Sequence, residues 1–454
     1  MLTVLFGLMG LSIVVIIHEF GHFVAARAMG VEVETFSLGW GPRLFGFKSH
    51  GTEWRISAFP IGGFCKMKGE EDFKAALEKK LPYIPTEKGS FYGSSPWRRI
   101  LILVSGPLFN VIFAVLLFSI VSLVGITIQT APNRIVLASE ASALSGTAEK
   151  NPADLAGLLS GDVVASIDGT VIRDYSDLQE IVGLNPGKHL NLVIERNGAT
   201  INTTVTPRLE KNSGQGLIGI YAWIEPRIQS VDPQGSAAIA GIRKGDIIAA
   251  IEGKAIRNTV DIMSALSPKP EKVAMTVLRD GALIEERLVL TYSNQGQPIL
   301  GIIFDSMSRT DKATSLVDAA AKGGAETYKT FAMTVKGIGL LFSGVNVLKA
   351  VSGPARITYL VGSTATESIK ASGFSGIPTI LCFLAFLSVS LFIMNLLPIP
   401  ALDGGQIVLS ITEIVRRKPL LTKTIYRFQF VGAAMIMVLF FVATFSDILF
   451  FAGK

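Results

Sequence analysis

Charged residues and cysteines are both scarce in this 454-residue chain. Asp, Glu, Lys and Arg make up only 17% of it, against roughly a quarter in a typical soluble domain. Four stretches, residues 1–18, 100–133, 371–402 and 428–446, hold no charge at all. Runs of that length exclude an ordinary soluble core throughout, and the total length excludes a single domain. The two cysteines, Cys65 and Cys382, exclude a disulfide framework, since one is placed in a loop beside the membrane and the other in an apolar run. No basic residue precedes the first apolar run and no small-residue cleavage site follows it, so that run is expected to be retained rather than removed as a signal peptide.

What is present begins with the apolar runs. A bilayer core needs about 20 apolar residues in a helix, because backbone polar groups must be satisfied within the segment. The chain is therefore read as a polytopic α-helical membrane protein with four transmembrane helices, at 1–27, 100–128, 371–397 and 428–450. The net charge of +6 is unevenly spread. Residues 27–99 carry 12 Lys/Arg and 8 Asp/Glu, residues 398–427 carry 5 and 2, and residues 129–375 carry 24 of each. A basic bias beside the membrane marks cytoplasmic loops. Residues 28–99 and 398–427 are thus expected in the cytoplasm and the long neutral segment outside. This distribution points to membrane lipids and not to nucleic acid as the partner of the positive charge.

The long segment repeats itself. AGLLSGDVVASIDGTVIRDYSDL from Ala156 returns 84 residues later as AGIRKGDIIAAIEGKAIRNTVDI from Ala240. ERNGATI from Glu195 matches LRDGALI from Leu278, and Gly-Ile pairs recur at Gly219 and Gly301. Two copies make a tandem of domains, not a solenoid. Asn197-Gly198 and Asp280-Gly281 read as hairpin turns, and residues 174–184 and 258–267 as short helices. The pattern resembles a bacterial PDZ domain, which implies two tandem extracytoplasmic α+β domains at 129–222 and 223–305 whose grooves take an extended peptide. The alternative is a pair of packing modules without a ligand. Residues 306–370 read as amphipathic linker helices, with 331–348 better suited to a membrane surface than to a span.

Chemistry is concentrated in IIHEFGHFVAAR, residues 16–27. On a helix, His18 and His22 lie one turn apart on one face and can reach a single ion. Glu19 projects about 100° away, close enough to meet a water at the metal but not obliged to ligate it. Two imidazoles and one carboxylate suit Zn²⁺. Three such residues in an apolar span cost several kcal/mol unless paired, ligated or hydrated. A third ligand must come from elsewhere. Asp403 in NLLPIPALDGG follows two helix-breaking prolines and is either that ligand, presented from a turn at membrane depth, or the cap of the next helix.

HEFGH, GPLFN at 106–110 and N-x-x-P-x-P-x-x-D-G from Asn395 occur in the order found in the site-2 protease family of intramembrane zinc metalloproteases, which the whole chain resembles. The tandem repeat between the second and third spans points to the sigma-E regulator protease type within it. The resemblance implies Zn²⁺ held by His18, His22 and Asp403, with Glu19 as general base. It places Asn395, Pro398 and Pro400 around the active site, Asn395 either meeting substrate or packing helices. Many relatives have His where this chain has Gln406, which removes a neighbouring donor but no ligand. A comparable cytoplasmic segment in the family re-enters the membrane as a β-loop. Here that is TEWRISAFPIGGFCKM, residues 52–67, whose Ile56, Ala58, Phe59, Gly62 and Gly63 are candidates for holding an unwound substrate along an edge strand; an ordinary surface hairpin is the competing reading. The implied setting is a bacterial inner membrane with the PDZ-like domains in the periplasm. The implied substrate is a single-pass membrane protein of the anti-sigma factor type in an envelope-stress cascade, with remnant signal peptides as an alternative. A membrane-bound PDZ scaffold and a metal transporter are the rivals. Glu19 argues against the first, and the lack of acidic or His pairs on other spans argues against the second.

Overall fold

The uncharged runs form long helices because, in hydrocarbon, only intrahelical bonds satisfy the backbone. The structure, a computed structural model, describes residues 2–141, 150–293, 296–340 and 352–452. In chain order it begins with helix α1 (Leu2–Ala28), strands β1 (Val33–Ser49) and β2 (Thr52–Met67), helix α2 (Glu70–Glu78) and helix α3 (Pro96–Val124). The first repeat contributes β3 (Ile135–Leu137), β4 (Val163–Ile167), β5 (Thr170–Val171), α4 (Tyr175–Gly183), β6 (Leu190–Arg196), β7 (Ala199–Val205) and β8 (Ile220–Ala222). The second contributes β9 (Ile228–Val231), β10 (Ile247–Ile251), β11 (Lys254–Ala255), α5 (Thr259–Leu266), β12 (Lys272–Arg279), β13 (Ala282–Val289) and β14 (Ile302–Phe304). The chain closes with α6 (Leu316–Leu340), α7 (Pro354–Ser372), α8 (Ile377–Leu396), α9 (Asp403–Arg416) and α10 (Thr422–Ala452). It divides into two compact units, residues 1–126 with 311–454, and residues 127–310.

Among the described residues, four helices are long and apolar enough to cross a membrane: α1, α3, the segment ending in α8, and α10. Their ends differ from those read off the charges. Helix α3 starts earlier, at Pro96, and stops at Val124, where Gly125 takes φ +89°. Its first turns include Arg99, which is buried and paired with Glu413 of α9, so charge alone did not mark the boundary. Helix α10 likewise begins at Thr422, before the apolar run. Residues 371 and 372 belong to the end of α7, and the third span starts with a short 3₁₀ turn at Gly373–Gly376.

Helix α6 covers the first ten residues of the stretch read as surface-lying. Its glycine face packs on α3, where a Cβ at Gly323 would fall 2.2 Å from Ser119 Oγ. Farther along, Phe331 meets Phe392 of α8 at 6.0 Å between ring centroids. The rest of the stretch considered for membrane entry, from 341 onward, lies outside the described residues. Helix α7 lies against α1, with Gly7 facing the Thr358 carbonyl and Gly362 facing that of Thr3. Buried Asp447 near the end of α10 accepts the Gly353, Ala355 and Arg356 N–H groups at 2.8–3.1 Å, which satisfies the open donors of α7's first turn.

In the second unit each repeat builds one four-stranded antiparallel sheet, in the order β5-β4-β6-β7 and β11-β10-β12-β13. Each sheet has a core of buried Ile, Leu and Val. The repeated Gly-Asp is now explained. Asp162 takes a bidentate pair from Arg196 and Asp246 one from Arg279, at 2.7–2.8 Å. The same carboxylates accept the Leu159 and Arg243 N–H groups. The Arg279 guanidinium holds the Asp246 carboxyl below its usual range. Removing one partner of such a pair costs about 3–5 kcal/mol. Asn197-Gly198 and Asp280-Gly281 adopt φ of +51°/+80° and +51°/+85°, the left-handed pairs that a two-residue hairpin turn demands.

Candidate metal centre

Helix α1 carries the two histidines into the interior of the first unit. His18 and His22 are both buried, and their Nε2 atoms approach to 3.1 Å. His22 Nδ1–H donates to the Ile102 carbonyl of α3 at 2.9 Å. A carbonyl can only accept, so the His22 proton sits on Nδ1 and Nε2 is left as a lone pair aimed inward.

Glycines set the approach of α1 to α3. At Gly21 a Cβ would lie 2.4 Å from the Ser105 carbonyl oxygen. At Gly106 it would lie 2.3 Å from His22 Nε2 and 2.9 Å from His18 Cε1. The GPLFN segment therefore leaves the space that the imidazoles fill.

Asp403 comes from the other end of the sequence. After α8 the chain turns through Leu397–Leu402, with Ala401 at φ +77°, and α9 starts at Asp403. A Cβ at Gly404 would fall 2.2 Å from the Leu397 carbonyl oxygen and one at Gly405 2.4 Å from that of Ile399, so both glycines let the first turn fold back on the loop. The capping alternative is overturned. Leu402 is the N-cap, with no side-chain cap bond, and the Gln406 N–H goes to the Leu402 carbonyl. Instead Asp403 Oδ2 lies 3.1 Å from His18 Nε2 and 3.4 Å from His22 Nε2.

Three atoms able to bind a metal thus converge. Asp403 Oδ2 is buried yet has no hydrogen bond, which is costly unless a cation joins the group. Donors held at about 2.0–2.1 Å in a tetrahedron lie roughly 3.3 Å apart. The separations of 3.1, 3.1 and 3.4 Å fit that geometry, and the His₂-carboxylate donor set suits zinc. Among the described residues this is the group of three His, Cys, Asp or Glu side chains able to hold an ion.

Glu19 stands outside the triangle. Its Oε2 accepts the backbone N–H of Cys65 in β2 at 3.0 Å. Both residues line a cavity of about 410 Å³ that also reaches His18, His22, Asn395 and Asp403. Asn395 Nδ2 lies 3.4 Å from His18 Nε2, so it faces the site rather than serving only to pack helices.

The hairpin is folded on itself, which corrects where its edge lies. Ile56 pairs with Leu38 on one side and Phe45 on the other, and Arg55 with Ser37 and Gly46. Residues 53–56 are therefore interior. The singly paired edges are 43–49 and 63–67, and it is 63–67, through Cys65, that meets Glu19. Ile56, Ala58 and Phe59 do not line the cavity. Gly62 and Gly63 pack on Val15 and Ile16 of α1, and Ser12 Oγ bonds both the Pro60 carbonyl and the Gly62 N–H. Pro398 is exposed and Pro400 buried, the latter with its carbonyl oxygen only 1.9 Å from where a Cβ of Gly432 would sit. Both prolines shape the loop without reaching the cavity.

The model of Peptidase family M50 matches residues 6–439. The chain belongs to peptidase family M50. A Treponema pallidum protein named "Putative zinc metalloprotease" is 38% identical over 449 residues, covering 99% of both chains. Proteins of the same name from Borreliella burgdorferi and Vibrio cholerae are 30% and 28% identical, covering 98% and 97% of both chains. For this M50 peptidase, sequence reasoning missed the Ile102 carbonyl, the Cys65 N–H and Asn110. Only the GPLFN match pointed to α3 at all.

Proposed function

We propose that this peptidase uses zinc to hydrolyse peptide bonds within or beside the membrane-spanning segments of other proteins. One observation carries the reading: a metal-fitting triangle with a spare carboxylate sits on a helix whose residues 2–18 bear no charge. The zinc metalloprotease names of the relatives support the choice of ion. Bound zinc would polarise the scissile carbonyl and stabilise the charge that develops on it. Glu19, held by the Cys65 N–H, takes a proton from the attacking water and passes it to the leaving amide nitrogen. Asn395 donates toward the reacting centre. In the experiment that tests the reading, the purified chain is incubated with a membrane-spanning model peptide. Cleavage is expected, to be lost on chelation and restored by zinc; cleavage that survives complete removal of zinc would defeat the proposal.

The edge 63–67 is the natural place for an opened substrate strand, because it pairs only with 33–38 and its Cys65 and Met67 line the cavity. Cys65→Ser keeps the backbone N–H and should leave cleavage unchanged. Cys65→Pro removes it, frees Glu19 and should lower cleavage about a hundredfold. Equal activity of the two variants would remove the strand from the mechanism.

The repeats of the second unit are read as PDZ domains on the outer face of a bacterial inner membrane, with residues 28–99 and 398–427 cytoplasmic by their basic excess. The groove of the first repeat, about 220 Å³, runs between α4 and the chain leading into β8. Tyr175 Oη donates across it to the Ile220 carbonyl at 3.0 Å. The domains act as a filter that admits substrates already trimmed of bulky external parts, anti-sigma factors or remnant signal peptides among them. Replacing residues 132–305 by a short linker should raise cleavage of an untrimmed substrate about tenfold and leave a short model peptide unaffected. Loss of both activities in a folded variant would argue against a filter.

A further inference from the structure

Asn110 of α3 is wholly buried beside the metal centre, yet it does not reach the metal-binding atoms. Its Nδ2 lies 3.2 Å from His18 Nδ1, and its Oδ1 has no hydrogen-bond partner. The Ser388 hydroxyl of α8 donates to the Asn110 backbone carbonyl at 2.9 Å, which fixes this turn of α3. His18 Nε2 points at His22 Nε2 and Asp403 Oδ2, both 3.1 Å away. For Nε2 to offer a lone pair there, the neutral imidazole must carry its proton on Nδ1. An Nδ1–H facing an amide NH₂ sets donor against donor. Turning the amide end over brings Oδ1 against Nδ1–H and gives the orphaned oxygen its partner.

We infer that Asn110 is the positioning residue for His18: its amide oxygen accepts the His18 Nδ1–H and so holds Nε2 toward the metal. It does for His18 what the Ile102 carbonyl does for His22. Both partners come from α3, four residues either side of the imidazole-accommodating Gly106. The inference rests on the zinc reading given above.

The test is zinc affinity of the full-length protein in detergent, by competition with a chelator, for wild type, Asn110→Leu and Asn110→Asp. Leucine is close in size and suits an apolar interior but cannot accept a hydrogen bond; aspartate keeps the acceptor. Asn110→Leu should weaken zinc binding by about ten- to a hundredfold, and Asn110→Asp should stay near wild type. A residue that only packs would give the reverse order, since a carboxylate would disturb an apolar contact more than leucine does. That order, or equal affinity in all three, overturns the inference while leaving the zinc reading intact. A wild-type chain that holds no zinc overturns both. A second measurement does not depend on whether the variants fold. The chain has four histidines, so ¹⁵N imidazole spectra of the zinc-loaded wild type can be assigned by single replacements at His50 and His189. Coordination of His18 through Nε2, with a hydrogen-bonded Nδ1–H, is expected; coordination through Nδ1 overturns the assignment.

Discussion

Glu19→Gln is expected to lower turnover of a membrane-spanning peptide by about a hundred- to ten-thousandfold while the protein keeps its zinc. The expectation follows from where the carboxylate is. The metal-fitting atoms are His18 Nε2, His22 Nε2 and Asp403 Oδ2, and Glu19 is not among them. Glutamine has the same length, and its Oε1 can still accept the Cys65 N–H, so the attachment of β2 to α1 survives. What disappears is the ability to take up a proton. Zinc content and cleavage measured on the same preparation separate the roles. Loss of zinc along with activity would make Glu19 a ligand or a structural support, and retained turnover would remove it from the chemistry. A peptide-binding scaffold, by contrast, would work equally well with either residue.

The division between what could and could not be read from the residues follows the range of the interaction. His18 and His22 were legible because the helix itself puts residues four apart on one face. Asn197-Gly198 and Asp280-Gly281 were legible because the dipeptide dictates its own backbone angles. Asp403 was ambiguous for the opposite reason. A cap and a ligand have the same local sequence, and only the approach of α9 to α1 separates them. The order of segments in the hairpin was hidden in the same way. Residues 52–67 alternate in part as an edge strand would, but 53–56 has a second partner within 45–48, which nothing in its own sequence announces. The helix crossings were the hardest to foresee, since at Gly21, Gly106 and Gly323 the decisive feature is the lack of a side chain.

That absence of side chains can be tested where it matters most. Gly106→Ala is expected to lower zinc affinity by about a hundredfold and cleavage with it. The added methyl would lie 2.3 Å from His22 Nε2, 2.5 Å from His22 Cε1 and 2.9 Å from His18 Cε1, well inside van der Waals contact. Both rings are held where they stand. His22 is tied to the Ile102 carbonyl and His18 lies against Asn110. The helices cannot part without opening the contact of Gly21 on the Ser105 carbonyl. The methyl must therefore displace a donor from the triangle. Gly323→Ala is the matched control: its Cβ would crowd Ser119 Oγ at 2.2 Å, at the α6 contact and away from the metal. Overpacking there should cost about 1–3 kcal/mol of stability and leave zinc affinity unchanged. If the two alanines weakened zinc binding equally, the loss would report general loosening of the helix bundle. If Gly106→Ala bound zinc like the wild type, the imidazoles could not stand where the fit to a tetrahedral ion requires them.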